Sequence, residues 1–185
     1  MKALRQFLKC AVTSLAVFAG GSAMAVDPDR LDRLFADLAV ASAAEAGSLE
    51  QQIAAELARS GSDAMDLLLE RGRGALQAGD FEGAIGHLTA LVDHAPQFTE
   101  GYNARATAYY MAGLYGPALK DLGVVLTREP RHFGALSGLS LILEEIGDTP
   151  QALEVLYQIR DIHPNMAGLS DRIARLELVQ QGTAL

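Results

Sequence analysis

The sequence has no tryptophan, a single cysteine, and fewer basic than acidic side chains. Its 185 residues include 15 Lys and Arg against 23 Asp and Glu, which gives a formal charge of −8. Proteins that bind a nucleic-acid backbone need clustered Lys and Arg to release counterions, so nucleic acid is excluded as the main partner. Half of the residues are apolar, which excludes an acidic disordered chain and predicts one compact domain of ordinary size.

Long apolar runs are scarce, and the first one lies close to the N-terminus. Residues 11–20, AVTSLAVFAG, follow a basic start and precede the small residues Ala23 and Ala25. This order is typical of a secretory signal peptide, which we predict over residues 1–25. Ten helical residues span about 15 Å against about 30 Å for a bilayer core, so we expect no transmembrane span in the mature chain.

Export changes the balance of charged and sulfur-containing side chains. Removing residues 1–25 removes three basic side chains, no acidic ones and the cysteine, so the formal charge falls from −8 to −11. An exported chain without cysteine has no disulfides and no thiolate ligands for zinc, and its stability must come from apolar burial. We predict that the protein is exported, to a bacterial periplasm.

Beyond Val26 the apolar residues recur every three or four positions and strand-like alternation is absent, which predicts an all-α fold. Asp27 before Pro28 is typical of a helix N-terminus. The predicted apolar face of this first helix carries Leu31, Leu34, Phe35 and Leu38.

A second helix is predicted to begin at Ser48, where Gln51 completes a capping box. A turn at residues 46–48 joins it to the first helix, and it stops at residues 60–61. Its predicted apolar face carries Leu49, Ile53 and Leu57. Residues 26–62 are therefore predicted to form an N-terminal helical pair.

From Asp63 onward the sequence repeats with a period of 34 residues. Three columns keep one residue type in every copy: Gly79, Gly113 and Gly147; Ala84, Ala118 and Ala152; Pro96, Pro130 and Pro164. Three further columns keep small or apolar residues: Gly72, Ala106 and Ser140; Leu88, Leu122 and Leu156; Leu91, Val125 and Ile159. A shared internal period of this length is typical of stacked helical repeats.

Each column has a structural reason in a unit of two antiparallel helices. The small residues let the second helix approach the first at its alanine, and a larger side chain at either place would cost about 1 to 3 kcal/mol. The glycines give the backbone freedom to leave the first helix, and the prolines end the second helix.

These columns resemble the tetratricopeptide repeat (TPR) family. Three units fit without a gap: residues 65–98, 99–132 and 133–166. The middle unit carries Tyr102 and Tyr109 at the large aromatic positions of the family, whereas the other two have Leu or Ala there, and Pro150 lies at the start of the last second helix. The resemblance implies a right-handed α-solenoid of three hairpins over residues 63–166.

The segments that flank the repeats are predicted to be helical as well. For residues 26–62 a degenerate fourth repeat is an open alternative to a separate helical pair. Residues 167–185 contain a predicted capping helix and tail. The apolar stripe of this helix is predicted at Met166, Leu169, Ile173 and Leu176. A solenoid needs such a helix to cover its end.

The sequence offers no motif for catalysis or for a metal or cofactor. Residues 72–74, GRG, are similar to the opening of a dinucleotide motif, but Gln77 replaces the third glycine and no strand precedes the segment. The histidines lack the spacing of metal ligands and are predicted to be solvated or turn-stabilising: His87, His94, His132 and His163. The carboxylates are predicted to face solvent. We therefore predict that the protein is not an enzyme and has no cofactor.

The resemblance also implies a binding surface, because the first helices of stacked units line a concave groove that commonly holds a peptide or a partner helix. The usual groove positions carry Arg73, Gln77, Asn103, Thr107, Tyr110, Met111, Ser137, Leu141 and Glu144. Asn103, Thr107 and Tyr110 are spaced i, i+4, i+7 and share one helical stripe. We predict that Tyr110 contributes more to binding than to folding.

One subclass of the family does not fit the sequence. Members that clamp the acidic tails of cytosolic chaperones carry Lys, Asn or Arg at five groove positions. This chain has Leu69, Arg73, Ala104, Gly134 and Gly138 there.

The predicted function is a non-enzymatic protein-protein interaction module or scaffold of the cell envelope, which binds a peptide or helix of another protein. Two alternatives are open. One is an accessory subunit that docks on a membrane-embedded complex, and the other is an enzyme whose site forms only in the fold.

Overall fold

The computed structural model describes residues 25–182, so the predicted signal peptide lies outside the described residues except for Ala25. The described residues form nine α-helices and no β-strand, which confirms the predicted all-α class. The helices are α1 (Pro28–Val40), α2 (Ala43–Leu57), α3 (Asp63–Gln77), α4 (Phe81–His94), α5 (Thr99–Met111), α6 (Tyr115–Arg128), α7 (Phe133–Glu145), α8 (Thr149–Ile162) and α9 (Leu169–Gln180). None of these helices has the length and apolar character needed to cross a bilayer.

Helix α1 begins where the sequence predicts. The Oδ1 atom of Asp27 accepts hydrogen bonds from the backbone N–H groups of Asp29 and Arg30, and Pro28 occupies the first turn. The predicted apolar face of the helix is buried: Leu31, Leu34, Phe35 and Leu38.

The predicted start of the second helix is wrong. Residues 46–48 are helical, and α2 begins at Ala43. The capping box is formed by Ser42 and Glu45, whose carboxylate accepts a hydrogen bond from the Ser42 backbone N–H at 3.1 Å. The earlier start places Ala46 on the buried face against α1, and this packing decides where the helix begins.

Three helical hairpins follow: α3 with α4, α5 with α6, and α7 with α8. In each hairpin a glycine of the repeat lies two residues after the end of the first helix, with φ of +76° at Gly79, +74° at Gly113 and +80° at Gly147. The next backbone N–H donates back across the last turn, as from Asp80 to the carbonyl of Ala75 at 2.9 Å. Glycine adopts this left-handed conformation without strain, so the glycine column is a requirement of the turn.

Close packing within the hairpins depends on the small-residue columns. Gly72 of α3 is buried, and a Cβ atom at this position would lie 2.5 Å from both Cδ2 and Cγ of Leu88 on α4. Ala106 and Ser140, which are the equivalent residues of α5 and α7, are also buried. The atoms that this Cβ would meet thus belong to Leu88, one turn beyond Ala84, the residue expected to face Gly72. Ala84 is itself fully buried.

The hairpins stack into two layers. Helices α3, α5 and α7 contact one another in turn, and we call them the first-helix layer. Helices α4 and α6 each pack on the first helix of the next hairpin, and α9 packs on α8 with Leu169, Ile173 and Leu176 buried. The described residues therefore form a solenoid of helical hairpins whose end is covered by α9.

The N-terminal helical pair packs against the later turns of the solenoid. Phe35 of α1 contacts Phe133 edge-to-face, with 6.4 Å between ring centroids. The Asn165 side chain donates a hydrogen bond to a backbone carbonyl of the α1–α2 loop at 2.8 Å, and Nε2 of His163 lies 2.6 Å from Oε1 of Glu50. Helix α1 also contacts α8. The N-terminal helical pair therefore packs mainly on the third hairpin, which consists of α7 and α8.

Candidate functional site

All nine predicted groove residues lie on the first-helix layer, where α3 contributes two, α5 four and α7 three. Four of them are exposed: Gln77, Thr107, Met111 and Leu141. The other five are half-buried: Arg73, Asn103, Tyr110, Ser137 and Glu144. The stacking of the three helices thus brings the predicted residues onto one layer, and several of them are engaged in contacts within the fold.

A first polar cluster in this layer is centred on Glu100, which the sequence analysis did not single out. The buried Glu100 carboxylate forms an ion pair with Arg73 of α3 and accepts hydrogen bonds from the Asn103 amide at 3.2 and 3.3 Å. Its Oε2 atom lies 3.1 Å from Nε2 of His132, the N-cap residue of α7. Glu100 therefore links all three helices of the layer.

These partners stabilise the charged form of Glu100. Burial by itself raises the pKa of this carboxylate, but the hydrogen bonds with His132 and Asn103 and the positive charge of Arg73 outweigh it, so the pKa lies below its ordinary value of 4.5. Two predicted groove residues, Arg73 and Asn103, are thus occupied in holding a buried charge within the protein.

A second polar cluster joins α7 to the capping helix. The predicted groove residue Glu144 binds Arg172 and Arg175 of α9, with 2.7 Å between its Oε2 atom and Nη2 of Arg175. Arg172 also donates to the Ser140 hydroxyl at 2.9 Å. These contacts neutralise Glu144 and attach α9 to the C-terminal end of the first-helix layer.

The Tyr110 ring is half-buried. It stacks on Tyr115 of α6, with 5.8 Å between ring centroids and 24° between the ring planes, and both rings pack against the apolar cluster between α5, α6 and α7. Burial raises the pKa of the Tyr110 hydroxyl, and the negative charges of Glu145 and Glu144 add to the increase. Truncation of this ring would therefore remove packing as well as any binding surface.

Three uncharged residues of the predicted groove, Thr107, Met111 and Leu141, are called the uncharged strip. Thr107 and Met111 follow the residues of the first polar cluster on α5. Leu141 is the equivalent of Thr107 on α7 and precedes Glu144. Met111 is 51% exposed and Leu141 is 37% exposed. The exposed Thr107 hydroxyl donates to the carbonyl of Asn103 at 3.1 Å. Apolar area next to a hydroxyl group can accommodate an apolar side chain and a small number of hydrogen bonds from a partner.

The histidines divide between surface and interior. His87 and His94 are exposed, whereas His132 and His163 are buried beside the turns that precede α7 and follow α8. Nδ1 of His132 accepts a hydrogen bond from the Ala135 backbone N–H at 3.1 Å and so stabilises the start of α7. Over residues 25–182, no group of three or more His, Cys, Asp or Glu side chains is arranged to hold a metal ion.

The prediction that the carboxylates face solvent is wrong for Glu56, Glu100 and Asp121, which are buried. Asp121 binds the guanidinium of Arg105 through two hydrogen bonds of 2.7 and 2.9 Å, and Glu56 accepts one from the backbone N–H of Asp27 at 2.8 Å. Each buried charge has a partner, as burial requires. The partners Arg105, Arg73, Asp27 and His132 lie 16 to 32 residues from the carboxylates that they bind, so no local pattern in the sequence reveals these contacts.

The five positions of the chaperone clamp do not present a set of cations. Leu69 and Ala104 are buried, and two of the other positions are glycines of α7. Arg73 is the one basic residue among the five, and it is engaged by Glu100.

A related sequence identifies the family of this chain. No family model matches the chain. A TPR repeat-containing protein of Rhizobium etli is 34% identical over 136 residues, which cover 73% of this chain and 67% of the relative. The structure of the first TPR of Spaghetti (RPAP3) bound to the HSP90 peptide SRMEEVD is similar with a TM-score of 0.60 and 17% identity, over 63% of this chain and 95% of that one. The repeat columns, the stacked hairpins and the sequence identity agree, and the chain belongs to the tetratricopeptide repeat family.

Proposed function

We propose that the chain is a non-enzymatic protein-protein interaction module or scaffold of the cell envelope, which binds an extended segment or a helix of another protein across the first-helix layer. The observation that carries this proposal is the uncharged strip of Thr107, Met111 and Leu141, which lies between two clusters of paired charges. The peptide bound to the similar Spaghetti domain supports such a role for this fold.

The internal pairing of charges narrows the class of partner. Glu100 is neutralised by Arg73, and Glu144 by Arg172 and Arg175. The chain as a whole carries a formal charge of −8, which disfavours acidic partners. We expect a partner segment with apolar side chains and neutral or basic flanks, unlike the acidic peptide of the Spaghetti structure.

The assignment to the envelope rests on the leader pattern in residues 1–25. Expression of the full chain with a C-terminal tag in a Gram-negative host, followed by osmotic shock and N-terminal sequencing, tests it. Release into the periplasmic fraction with Val26 as the first residue supports export. Retention in the cytosol with Met1 intact contradicts it.

A matched pair of threonine variants tests the groove. Thr107 of α5 and Thr127 of α6 are both exposed, and each hydroxyl donates to the carbonyl four residues earlier, at 3.1 and 2.7 Å. Thr107→Arg places a long charged side chain in the uncharged strip, and we expect affinity capture of the partner from the envelope to fall about ten-fold or more. Thr127→Arg should capture as much as the wild type. Equal recovery by the two variants contradicts the proposal.

Docking on a membrane-embedded complex is a second candidate, favoured by exposed apolar residues at two hairpin turns. Leu114 is 46% exposed and Ile146 is 54% exposed, and they lie beside Gly113 and Gly147. A contiguous patch of exposed apolar side chains marks a surface that a partner covers, and this candidate requires Leu114 and Ile146 to belong to one such patch. If this candidate is correct, Leu114→Glu combined with Ile146→Glu abolishes co-sedimentation with membranes, whereas Thr107→Arg leaves it unchanged.

A further inference from the structure

A cavity of about 570 Å³ lies between the N-terminal helical pair and the solenoid. Its walls come from α1, the end of α2, the α4–α5 turn and the end of α6, and none of the nine predicted groove residues lines it. Sites for small molecules have volumes of roughly 300 to 1,000 Å³. The cavity is therefore a candidate ligand site distinct from the first-helix layer.

Apolar side chains form the inner wall of this cavity. Leu31 and Leu57 come from the N-terminal pair and Phe98 comes from the α4–α5 turn, and all three are buried. Val26 and Ala95, both half-buried, extend the apolar wall. A ligand with an apolar body can be buried here without leaving polar groups unpaired.

Three arginines also line the cavity, and two of them are engaged by carboxylates. Arg59 binds Glu56 at 3.4 Å. Arg131 binds Glu129 at 2.9 Å and Asp32 at 2.8 Å. Both carboxylates of the cavity lining, Asp32 and Glu129, are thus bound by Arg131.

The third arginine, Arg128, has no carboxylate partner in the described part of the chain. Its exposed guanidinium lies 5.0 Å from the centroid of the Tyr102 ring. A guanidinium over an aromatic ring keeps N–H donors at its edge for another acceptor. The cavity therefore combines apolar walls with a cation that can receive an anionic group.

We propose that this cavity binds an amphipathic carboxylate, whose apolar body packs on Leu31, Leu57 and Phe98 and whose carboxylate binds Arg128. Guanidinium and carboxylate match in geometry, since two parallel N–H donors meet two oxygens. A free fatty acid and the free C-terminus of an apolar peptide present the same chemistry. Because the walls come from both the helical pair and the solenoid, the ligand connects these two parts of the protein.

Isothermal titration calorimetry of the full chain tests the proposal with two pairs of probes. The first pair is decanoate and decanol, and the second is a short apolar peptide as its free acid and as its C-terminal amide. We expect at least one of the two acids to bind with one-to-one stoichiometry. Its neutral counterpart should have an affinity that is lower by about ten-fold or more, because it lacks the charge-assisted hydrogen bonds. The pair that shows this difference identifies the source of the carboxylate.

Variants of Arg128 separate the anion site from general apolar binding. Arg128→Gln should reduce the affinity for the acid to that for its neutral counterpart, and Arg128→Lys should retain part of the difference. Arg160→Gln is the matched control, because Arg160 lies 4.8 Å from the Tyr157 ring centroid and is not part of the cavity lining. Ala95→Leu fills space in the apolar wall and should weaken every probe. Failure of all four probes to bind saturably, or acid binding by Arg128→Gln equal to that of the wild type, overturns the proposal.

Discussion

Replacing Gly72 with alanine tests the close packing on which the repeat depends. In the interior of a helix alanine is ordinarily more stable than glycine, by about 0.5 to 1 kcal/mol. At Gly72 the added Cβ would lie 2.5 Å from Cδ2 and Cγ of Leu88, which is fully buried. Overpacking of this kind costs about 1 to 3 kcal/mol, so we expect Gly72→Ala to lower the free energy of unfolding by up to about 2 kcal/mol after the gain in helix propensity.

Gly74 supplies a control two residues away on the same helix. It is exposed, and a Cβ at this position would meet nothing within 4 Å. Gly74→Ala should therefore raise the free energy of unfolding by about 0.5 to 1 kcal/mol. The two variants should differ by about 1 to 3 kcal/mol, which corresponds to roughly 2 to 4 °C in melting temperature for each kcal/mol.

Equilibrium urea unfolding followed by far-ultraviolet circular dichroism measures this difference. Leu88→Ala adds a second readout, because it should cost less in the Gly72→Ala background than in the wild type if the two side chains collide. If Gly72→Ala is as stable as Gly74→Ala, α3 and α4 do not approach each other closely at this point and the reasoning is refuted.

Three further substitutions test the turns and the buried charges. Gly79→Ala, at a φ of +76°, should lower the free energy of unfolding in urea by at least about 1 kcal/mol relative to Gly86→Ala in α4. At Gly86 φ is not positive and a Cβ meets nothing within 4 Å, so equal values for the two variants would contradict the prediction. Arg105→Lys keeps the charge but loses the paired donors to Asp121, so its unfolding in urea should show a loss of about 1 to 3 kcal/mol, and wild-type stability would count against it. The pKa of Glu100 lies below 4.5 in the folded protein, so its charge stabilises the fold above that pH and the contribution is lost as the pH falls through the folded pKa. Between about pH 7 and about pH 3, Glu100→Gln should therefore lose less stability than the wild type, and equal losses would refute the assignment.

The hairpins are predictable from the sequence because their turn chemistry recurs. Gly79, Gly113 and Gly147 all have positive φ, so the period of 34 residues reports the same turn three times. The start of α2 is less predictable, because residues 42–45 and 48–51 both have the spacing of a capping box. Packing of Ala46 against α1 selects the capping box of residues 42–45. This is a tertiary contact, which the local sequence does not show.

Local sequence patterns do not predict the buried contacts of the candidate site. Glu100 is a charged residue in a helix of mixed character, and such a residue ordinarily faces solvent. Its partners Arg73 and His132 lie 27 and 32 residues away, and only the stacking of α3, α5 and α7 brings them together. The position of the N-terminal pair depends in the same way on Phe35 meeting Phe133, which no repeat period specifies.

Site-specific photo-cross-linking tests most directly whether the first-helix layer binds a segment of another protein. A photoreactive amino acid replaces Thr107 in one chain and Thr127 in another, each is expressed in the organism's own cells, and the cells are irradiated before the tagged protein is purified. Both positions are exposed, and they lie on the first and second helices of the same hairpin. We expect a discrete protein adduct from position 107 and none from position 127. An adduct from position 127 alone, equal adducts from both positions, or no adduct from position 107 would contradict the account.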